Sequence, residues 1–478
     1  MLRAPQSSLL TENSLALFLD YYQLTMGQAD FKRSNNTICT ENYFIRRIPQ
    51  GKYLIVAGLE QVIHYILNLK FTDDDLSWLK NTAPGMKLET DFVDYLRNFK
   101  FDGDIYALPE GSLAFASEPI INITGKSIDV QIFETYLLTI MNFQTLIATK
   151  SSRIVHSAKG RSCFDFGARR AHGRDAAILA ARASFIGGIK STSLVIAARN
   201  FDIPYVGTMA HKFVQDSSSE VQAFRDYAQT FPDNTILLVD TYDTLQGTRN
   251  AIQIAKEMEQ RGQEIHGIRL DSGDLISLSK SVREILDQSG FQKIKILASN
   301  DLDEFQIDKI LEANAPIDGF GIGTRLATGS VFNSITGEGG VSSMPGVYKH
   351  VEREENGINI PTFKLSEDPG KSTLAGKKQI LRIFNKSQYT KDQICLWQEV
   401  EDGEGLMIPI VKKGELVYDF PSVTQIQRHT REELSKLPKR YKNLSHESKN
   451  LDDDNYPIEI SPQLLALQNK LIKEKMKS

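Results

Sequence analysis

The spacing of apolar residues changes character from segment to segment along this chain. Near the amino terminus, Leu15-Ala-Leu-Phe-Leu-Asp-Tyr-Tyr-Gln-Leu-Thr-Met26 has amphipathic spacing that predicts a helix, with Tyr21 and Tyr22 expected to be buried. Val56-Ala-Gly-Leu-Glu60 opens a second helix-like run through Leu69, and the acidic stretch Asp73 to Asp75 is expected on the surface. From Gly103 to Val130 the pattern turns to short β-like runs, such as Asp104-Ile-Tyr-Ala-Leu108 and Ile120-Ile-Asn-Ile123, punctuated by Pro109, Gly111, Pro119 and Gly125. Gln131 to Lys150 is apolar nearly all round, with Glu134, Asn142 and Gln144 embedded, which predicts a buried connecting helix.

Between Cys163 and Gly329 short strand candidates alternate with helix candidates, and each strand ends in polar residues or glycine. Gly207, Asp240, Asp271, Asn300 and Gly321 mark successive strand ends. Their spacing of roughly 20–35 residues is that of strand-helix units joined by right-handed crossovers between parallel strands. An open doubly wound sheet and a closed barrel both satisfy this periodicity. In either one, ligands gather at the carboxyl ends of the strands, so His211, Asp240, Asp271, Asn300 and Gly323 should surround one mouth.

Beyond about residue 340 the pattern is again rich in strands and turns, with a lysine-dense stretch Lys371-Ser-Thr-Leu-Ala-Gly-Lys-Lys-Gln379 after Lys364. A charged tail runs from Arg431 to Asn450, and Ser461 to Leu471 predicts a terminal amphipathic helix. The expected organisation is an N-terminal α/β domain over 1–130, an α/β unit over 131–340 and a C-terminal segment over 341–478.

Composition narrows the classes. A chain of 478 residues with 41% hydrophobic content can bury a large core. Its 56 basic and 60 acidic residues, net −4, give no broad basic surface of the kind nucleic acid or anionic lipid favours. Cys39, Cys163 and Cys395 lie too far apart for a CxxC knuckle and suggest no disulfide framework, which fits a reducing cytoplasmic compartment. Arg3, Glu12 and Asp20 interrupt the amino-terminal apolar residues, and no run reaches the ~20 apolar residues needed to span a bilayer. A soluble, unexported protein is expected.

Four motifs carry candidate chemistry. Phe320-Gly-Ile-Gly-Thr-Arg-Leu326 has two glycines that let backbone amides approach a phosphate, with the Thr324 hydroxyl as a further donor; the plain alternative is a tight turn. Ile268-Arg-Leu-Asp-Ser-Gly-Asp274 offers Arg269 for an anion and Asp271 for ribose hydroxyls or a metal-bound phosphate, or else an internal ion pair and a helix cap. Phe164-Asp-Phe-Gly-Ala-Arg-Arg-Ala-His172 could stack a planar anion on Phe166 and pair it with Arg169, against a buried phenylalanine flanked by surface arginines. Tyr205-Val-Gly-Thr-Met-Ala-His-Lys-Phe213 delivers His211, which by itself is as easily a packing group.

Taken in order, Asp20-Tyr-Tyr-Gln-Leu-Thr-Met26, Phe164 to Arg170, Gly207-Thr-Met-Ala-His211, Arg269 to Asp274 and Gly321-Ile-Gly-Thr324 resemble the nicotinate phosphoribosyltransferases, type II phosphoribosyltransferases. The likeness runs from about residue 11 to the Lys364 and Lys377 region and is looser in the tail. It implies an irregular (β/α) barrel, open in places, beside the N-terminal α/β domain to which the C-terminal part returns. It also implies a homodimer with shared active sites, joining nicotinate to phosphoribosyl pyrophosphate with ATP hydrolysis through a phosphohistidine, in NAD salvage.

By that resemblance the phosphohistidine is His211, with Asp271 beside it. Tyr22 of a neighbouring subunit and Phe166 would sandwich the pyridine; Arg169, Thr208, Ser193 and Arg269 would serve nicotinate. Asp240, Asn300, Gly321, Gly323 and Thr324 would serve ribose and phosphate. Mg2+ would arrive with the substrate phosphates, near Asp240, Asp243 and Asp271, and no dedicated protein cluster would hold it. Related nicotinamide enzymes carry aspartate where Ser193 stands, so Ser193 favours the acid over the amide. Ser191 and Leu194 depart from the family's usual pattern in that loop, and the cysteine-rich zinc knuckle of some relatives is missing. The competing expectations are a nicotinamide phosphoribosyltransferase, a phosphate-binding barrel lyase or isomerase using a Schiff-base lysine, which no strand end above supplies, and a non-catalytic pyridine-nucleotide sensor.

Overall fold

The computed structural model describes residues 12–33, 37–49, 51–82, 87–332, 337, 339–340, 342–366, 372–400, 405–444 and 455–476. Arg3, Lys371 and the 445–450 part of the charged tail lie outside them.

Two sheets organise the chain. The first has seven antiparallel strands in the order Ile358–Pro361, Gly346–Glu355, Ile38–Ile45, Pro119–Lys126, Asp104–Ala107, Ile408–Lys412 and Glu415–Leu416. Strands from both ends of the sequence therefore share one sheet. Its core joins Ile105, Ile121 and Ile123 to Ile380, Ile410 and Val411, all fully buried.

The second sheet is wholly parallel, in the order Ser191–Thr192, Ser162–Asp165, Gly319–Ile322, Lys295–Asn300, Gly267–Leu270 and Ile236–Leu238. Strand Ser162–Asp165 pairs with the last strand, Gly319–Ile322, which curls the sheet toward closure. Among the described residues no ladder joins Tyr205 to Ile236–Leu238, so the ring stays open there. This is the irregular barrel the resemblance implies, and the mixed α/β class stands. The expected strand before Gly207 is reduced to a single bridge between Thr192 and Tyr205, and the Tyr205 side chain is largely exposed.

Two helical expectations need correction. Leu15 to Met26 is not one helix: a 3₁₀ turn, Glu12–Leu17, precedes the α-helix Tyr21–Lys32. Asp20 forms the boundary, because its N–H donates to the Gln23 side chain (2.7 Å) and its carboxylate accepts from Thr135 (2.7 Å). Tyr21 and Tyr22 follow this cap on an exposed face, 38% and 44% accessible, contrary to the burial expected of them. The connecting helix runs Glu134–Ser157, later than expected, after a shorter helix Ser127–Ile132; it is buried along most of its length.

Helix Glu134–Ser157 and helix Arg174–Ile186 pack together between the two sheets. Arg182 on the latter is wholly buried and donates to both Glu110 oxygens (2.8 Å each), to Glu60 (2.8 Å) and to Gln144 (3.1 Å). Burial opposes a charge on Glu110, but the Arg182 charge and hydrogen bonds overcome it and hold this carboxyl below its ordinary value. The pair thus ties the barrel to the loop after Asp104–Ala107. Among the described residues no helix is long and apolar enough to cross a membrane.

Candidate active site

Of the strand-end residues expected around one mouth, His211, Asp271, Asn300 and Gly323 line it and Asp240 does not. Two cavities of about 440 and 470 Å3 adjoin there. Phe166, Arg169, Arg269 and Asp271 line both. The first also takes Ser193, Thr208 and His211; the second takes Ser299, Asn300, Gly321, Gly323 and Thr324.

His211 begins a short helix, His211–Gln215, and is pinned through Nδ1 to the Thr241 hydroxyl at 3.1 Å. Its Nε2 lies 3.7 Å from Asp271 Oδ2, beyond direct hydrogen bonding but close enough for a charge interaction once the ring is protonated. Asp271 Oδ1 accepts from Arg269 (2.9 Å) and from Ser299 (2.5 Å). Burial works against the Asp271 charge; the Ser299 hydrogen bond and Arg269 outweigh it, leaving the carboxyl below its ordinary value. Arg269 also donates to Ser299 (2.7 Å) and Thr208 (3.2 Å), and its guanidinium stands 5.6 Å from the Phe166 ring centre. The ion pair and the ligand-facing arrangement weighed for Arg269 and Asp271 therefore coexist.

Asp240 lines neither cavity. Its Oδ2 accepts from the Asp271 N–H (2.9 Å) and the Ser272 hydroxyl (2.6 Å), steadying the strand end that bears Asp271. Its Oδ1 is buried without a hydrogen-bond partner among the described residues. Asp243 caps the next helix by accepting from Gln246 N–H (2.7 Å). Tyr22 lies outside both cavities, on the helix Tyr21–Lys32, donating to Glu134 (2.7 Å). Lys212 lines the first cavity, but its ammonium bonds Asp216 and is largely exposed.

Two glycines answer to close approach. A Cβ on Gly167 would sit 2.7 Å from the Gly323 carbonyl and 2.5 Å from the Ala327 side chain, so the Phe166 loop and the Gly323 loop can touch only without it. A Cβ on Gly321 would lie 2.6 Å from two carbons of the Phe166 ring. Gly321 thus makes room for the aromatic platform in addition to lining the second cavity.

Sequence reading missed Thr241, Ser299 and Asp165. Asp165, inside the Phe164 to His172 motif, is 3% exposed and accepts from the Gly167 N–H (2.9 Å) and the Thr192 hydroxyl (2.8 Å), while its carbonyl accepts from Ser193 N–H (2.9 Å). One residue thereby clamps the loop bearing Phe166 and Arg169 to the loop bearing Ser193. Burial pushes its carboxyl up. Ser299 adjoins Asn300 at a strand end, a position that could have drawn notice; nothing local marks Thr241.

A curled parallel barrel with arginine- and glycine-lined cavities at its strand ends defines an α/β-barrel protein whose ligand mouth lies at the carboxyl ends of the strands. Three domain families match in chain order: the nicotinate phosphoribosyltransferase (NAPRTase) N-terminal domain over residues 17–142, the NAPRTase family over 161–388 and the nicotinate phosphoribosyltransferase C-terminal domain over 400–468. The chain belongs to the nicotinate phosphoribosyltransferase family. Nicotinate phosphoribosyltransferase of Bacillus subtilis is 39% identical, with 94% of each chain covered. A Mycobacterium tuberculosis relative of that name, pncB2, is 35% identical over 94% of this chain and 92% of its own. The crystal structure of human nicotinic acid phosphoribosyltransferase shares the fold, with a TM-score of 0.80 at 24% identity over 95% of this chain and 99% of that one.

Proposed function

We propose that the chain joins nicotinate to phosphoribosyl pyrophosphate, releasing pyrophosphate and nicotinate mononucleotide in NAD salvage, with ATP hydrolysis coupled through His211. The observation that carries this reading is the pair of adjoining cavities sharing Phe166, Arg169, Arg269 and Asp271. One suits a flat anion, the other a phosphorylated sugar.

Nicotinate stacks on Phe166, with its carboxylate facing Arg169, an exposed guanidinium that carries no ion pair among the described residues. Thr208 and Ser193 border the same space, and neither adds a negative charge that would repel the acid. The ribose 5′-phosphate takes the Gly323 and Thr324 turn. The pyridine nitrogen then attacks C1′ as the bond from C1′ to the pyrophosphate oxygen breaks; the ring nitrogen becomes cationic and pyrophosphate leaves with the electron pair. Positioning and charge stabilisation supply most of the acceleration. Asp240, whose buried Oδ1 has no hydrogen-bond partner among the described residues, and Asp271 are oxygen donors suited to Mg2+ accompanying the phosphates. Mg2+ would offset phosphate charge there. His211, oriented by Thr241 and faced by Asp271, accepts the γ-phosphoryl group of ATP on nitrogen, with ADP departing.

Tyr22 is exposed and outside its own chain's cavities, which supports a homodimer in which each subunit lends Tyr22 to the other's pyridine site. The three cysteines are free and buried, in keeping with a reducing cytoplasm. The test is turnover of nicotinate, nicotinamide and quinolinate with phosphoribosyl pyrophosphate and Mg2+, with and without ATP. Nicotinate should be preferred and ATP should raise turnover; preference for nicotinamide would overturn the substrate. ATP should label the chain with acid-labile phosphate, and His211→Asn should abolish that label.

A further inference from the structure

A third cavity, about 420 Å3, lies at the opposite end of the barrel strands from the catalytic mouth. Arg161 precedes strand Ser162–Asp165 and Lys190 precedes strand Ser191–Thr192, so both stand at strand amino ends. Arg431, on helix Val423–Lys436, and Lys442, on Lys439–Lys442, close the cavity from the C-terminal part of the chain. Among the described residues its lining contains these four cations, the imidazole of His156 and no carboxylate.

That imbalance stands out in a chain of net charge −4. Elsewhere the buried Arg182 meets Glu110 and the buried Arg382 meets Asp392 (2.6 Å), although the buried Lys378 meets only carbonyls among the described residues; the four cations here are half-buried (Arg161, Lys442) or exposed (Lys190, Arg431). Here the partners are neutral. Among the described residues Arg161 spends only its Nε, on the Ile317 carbonyl (2.8 Å); Lys190 donates to the Ser162 hydroxyl (2.9 Å); Lys442 donates to the Leu434 carbonyl (2.8 Å). None of the four forms an ion pair among the described residues. The nearby Asp308 is taken by Lys159 at 2.9 Å. Burial first, then the charge of Lys442, hold His156 below its ordinary value against the opposing pull of Asp308, with Lys439 and Lys159 adding to the lowering. Four like charges converging on a concave surface repel one another, and a bound polyanion is what removes that cost.

We propose that this cavity is a second anion site, distinct from the catalytic mouth, taking a small phosphorylated molecule with at least two phosphoryl groups. Its volume falls in the range of sites for small organic ligands, and Tyr53, Val155 and Leu434 supply an apolar wall for the remainder of a nucleotide-sized molecule. Because its walls come from the barrel and from the C-terminal helices, the ligand bridges two parts of the chain remote in sequence.

The test is calorimetric titration of the full-length protein with inorganic pyrophosphate. Two binding events per chain are expected. The charge reversal Lys190→Glu with Arg431→Glu changes two exposed side chains; it should weaken one event at least tenfold while leaving the other, and nicotinate turnover, within about twofold of wild type. Arg269→Ala should do the converse, removing the event at the mouth. Lys190→Arg with Arg431→Lys should retain both. A single event lost only with Arg269→Ala, or two events indifferent to the charge reversal, would overturn the site. The chain's own Asp452-Asp453-Asp454 run is the rival source of negative charge. Binding that emerges only after these three are changed to asparagine would show that the chain itself satisfies the cations and would overturn the free-ligand reading.

Discussion

Gly321→Ala is the smallest change that tests whether Phe166 is the platform for the substrate ring. The backbone at Gly321 is not left-handed, so alanine brings no conformational strain of its own. Its Cβ would lie 2.6 Å from both Cδ2 and Cε2 of Phe166, against an optimum carbon-carbon separation of about 3.5–4.0 Å. The ring must therefore retreat by about 1 Å. The Phe166 backbone stays in place, since its N–H is tied to the Ile322 carbonyl at 2.8 Å, so the ring has to turn about its side-chain bonds and shift against Arg269, 5.6 Å from its centre. Overpacking of this kind costs about 1–3 kcal/mol of stability. A 1 Å misplacement of a positioning group lowers catalytic efficiency by about 10²-fold, or about 2.7 kcal/mol of transition-state stabilisation. Steady-state kinetics should show this loss in kcat/KM for nicotinate, with urea unfolding reporting the stability change. Kinetics within twofold of wild type, together with a measurable loss of stability, would refute the assignment of Phe166 as the stacking surface.

Further outcomes are expected. Asp165→Ala strands the Gly167 N–H and the Thr192 hydroxyl; urea unfolding should record a loss of about 1–3 kcal/mol, with a raised KM for nicotinate, and Asp165→Asn should recover most of both. Ser193→Asp should lower kcat/KM for nicotinate about tenfold while sparing nicotinamide, measured with each substrate in parallel. Arg182→Met leaves Glu110 buried and unpaired and should cost about 3–5 kcal/mol at neutral pH, read by denaturant titration. Because the folded Glu110 carboxyl is depressed, the stability it contributes is present above the ordinary carboxylate value, about 4.3, and is lost as pH falls through the folded value. The gap between wild type and Arg182→Met should therefore narrow below about pH 4; a gap that widens on acidification would contradict this pairing.

Much of the barrel was legible in the sequence, because a parallel strand followed by a crossover helix repeats with a local period and ends in a residue that cannot continue the strand. Asp271, Asn300 and Gly323 reach the mouth for that reason, and family motifs carried Phe166, Arg169, Thr208 and His211 there as well. Local pattern failed where a few side-chain hydrogen bonds outweighed periodicity. Asp20 broke the first helix through Gln23 and Thr135, and the two tyrosines consequently turned outward. It failed again at Tyr205, where an apolar run formed one bridge and left the barrel open.

Other features belong to tertiary structure alone. Asp165 clamping two loops, Arg182 joining Glu110, and Thr241 pinning His211 all depend on side chains that meet across 27 to 72 positions of sequence. The cation-lined cavity draws Arg161, Lys190, Arg431 and Lys442 from strand starts and from helices of the C-terminal part. The sequence by itself determined where strands stop and which chemistry stands at each stop, since both are properties of neighbouring residues. Only the tertiary structure decided which distant charges face one another, because that depends on how helices close over the sheet, and chain spacing carries no record of it.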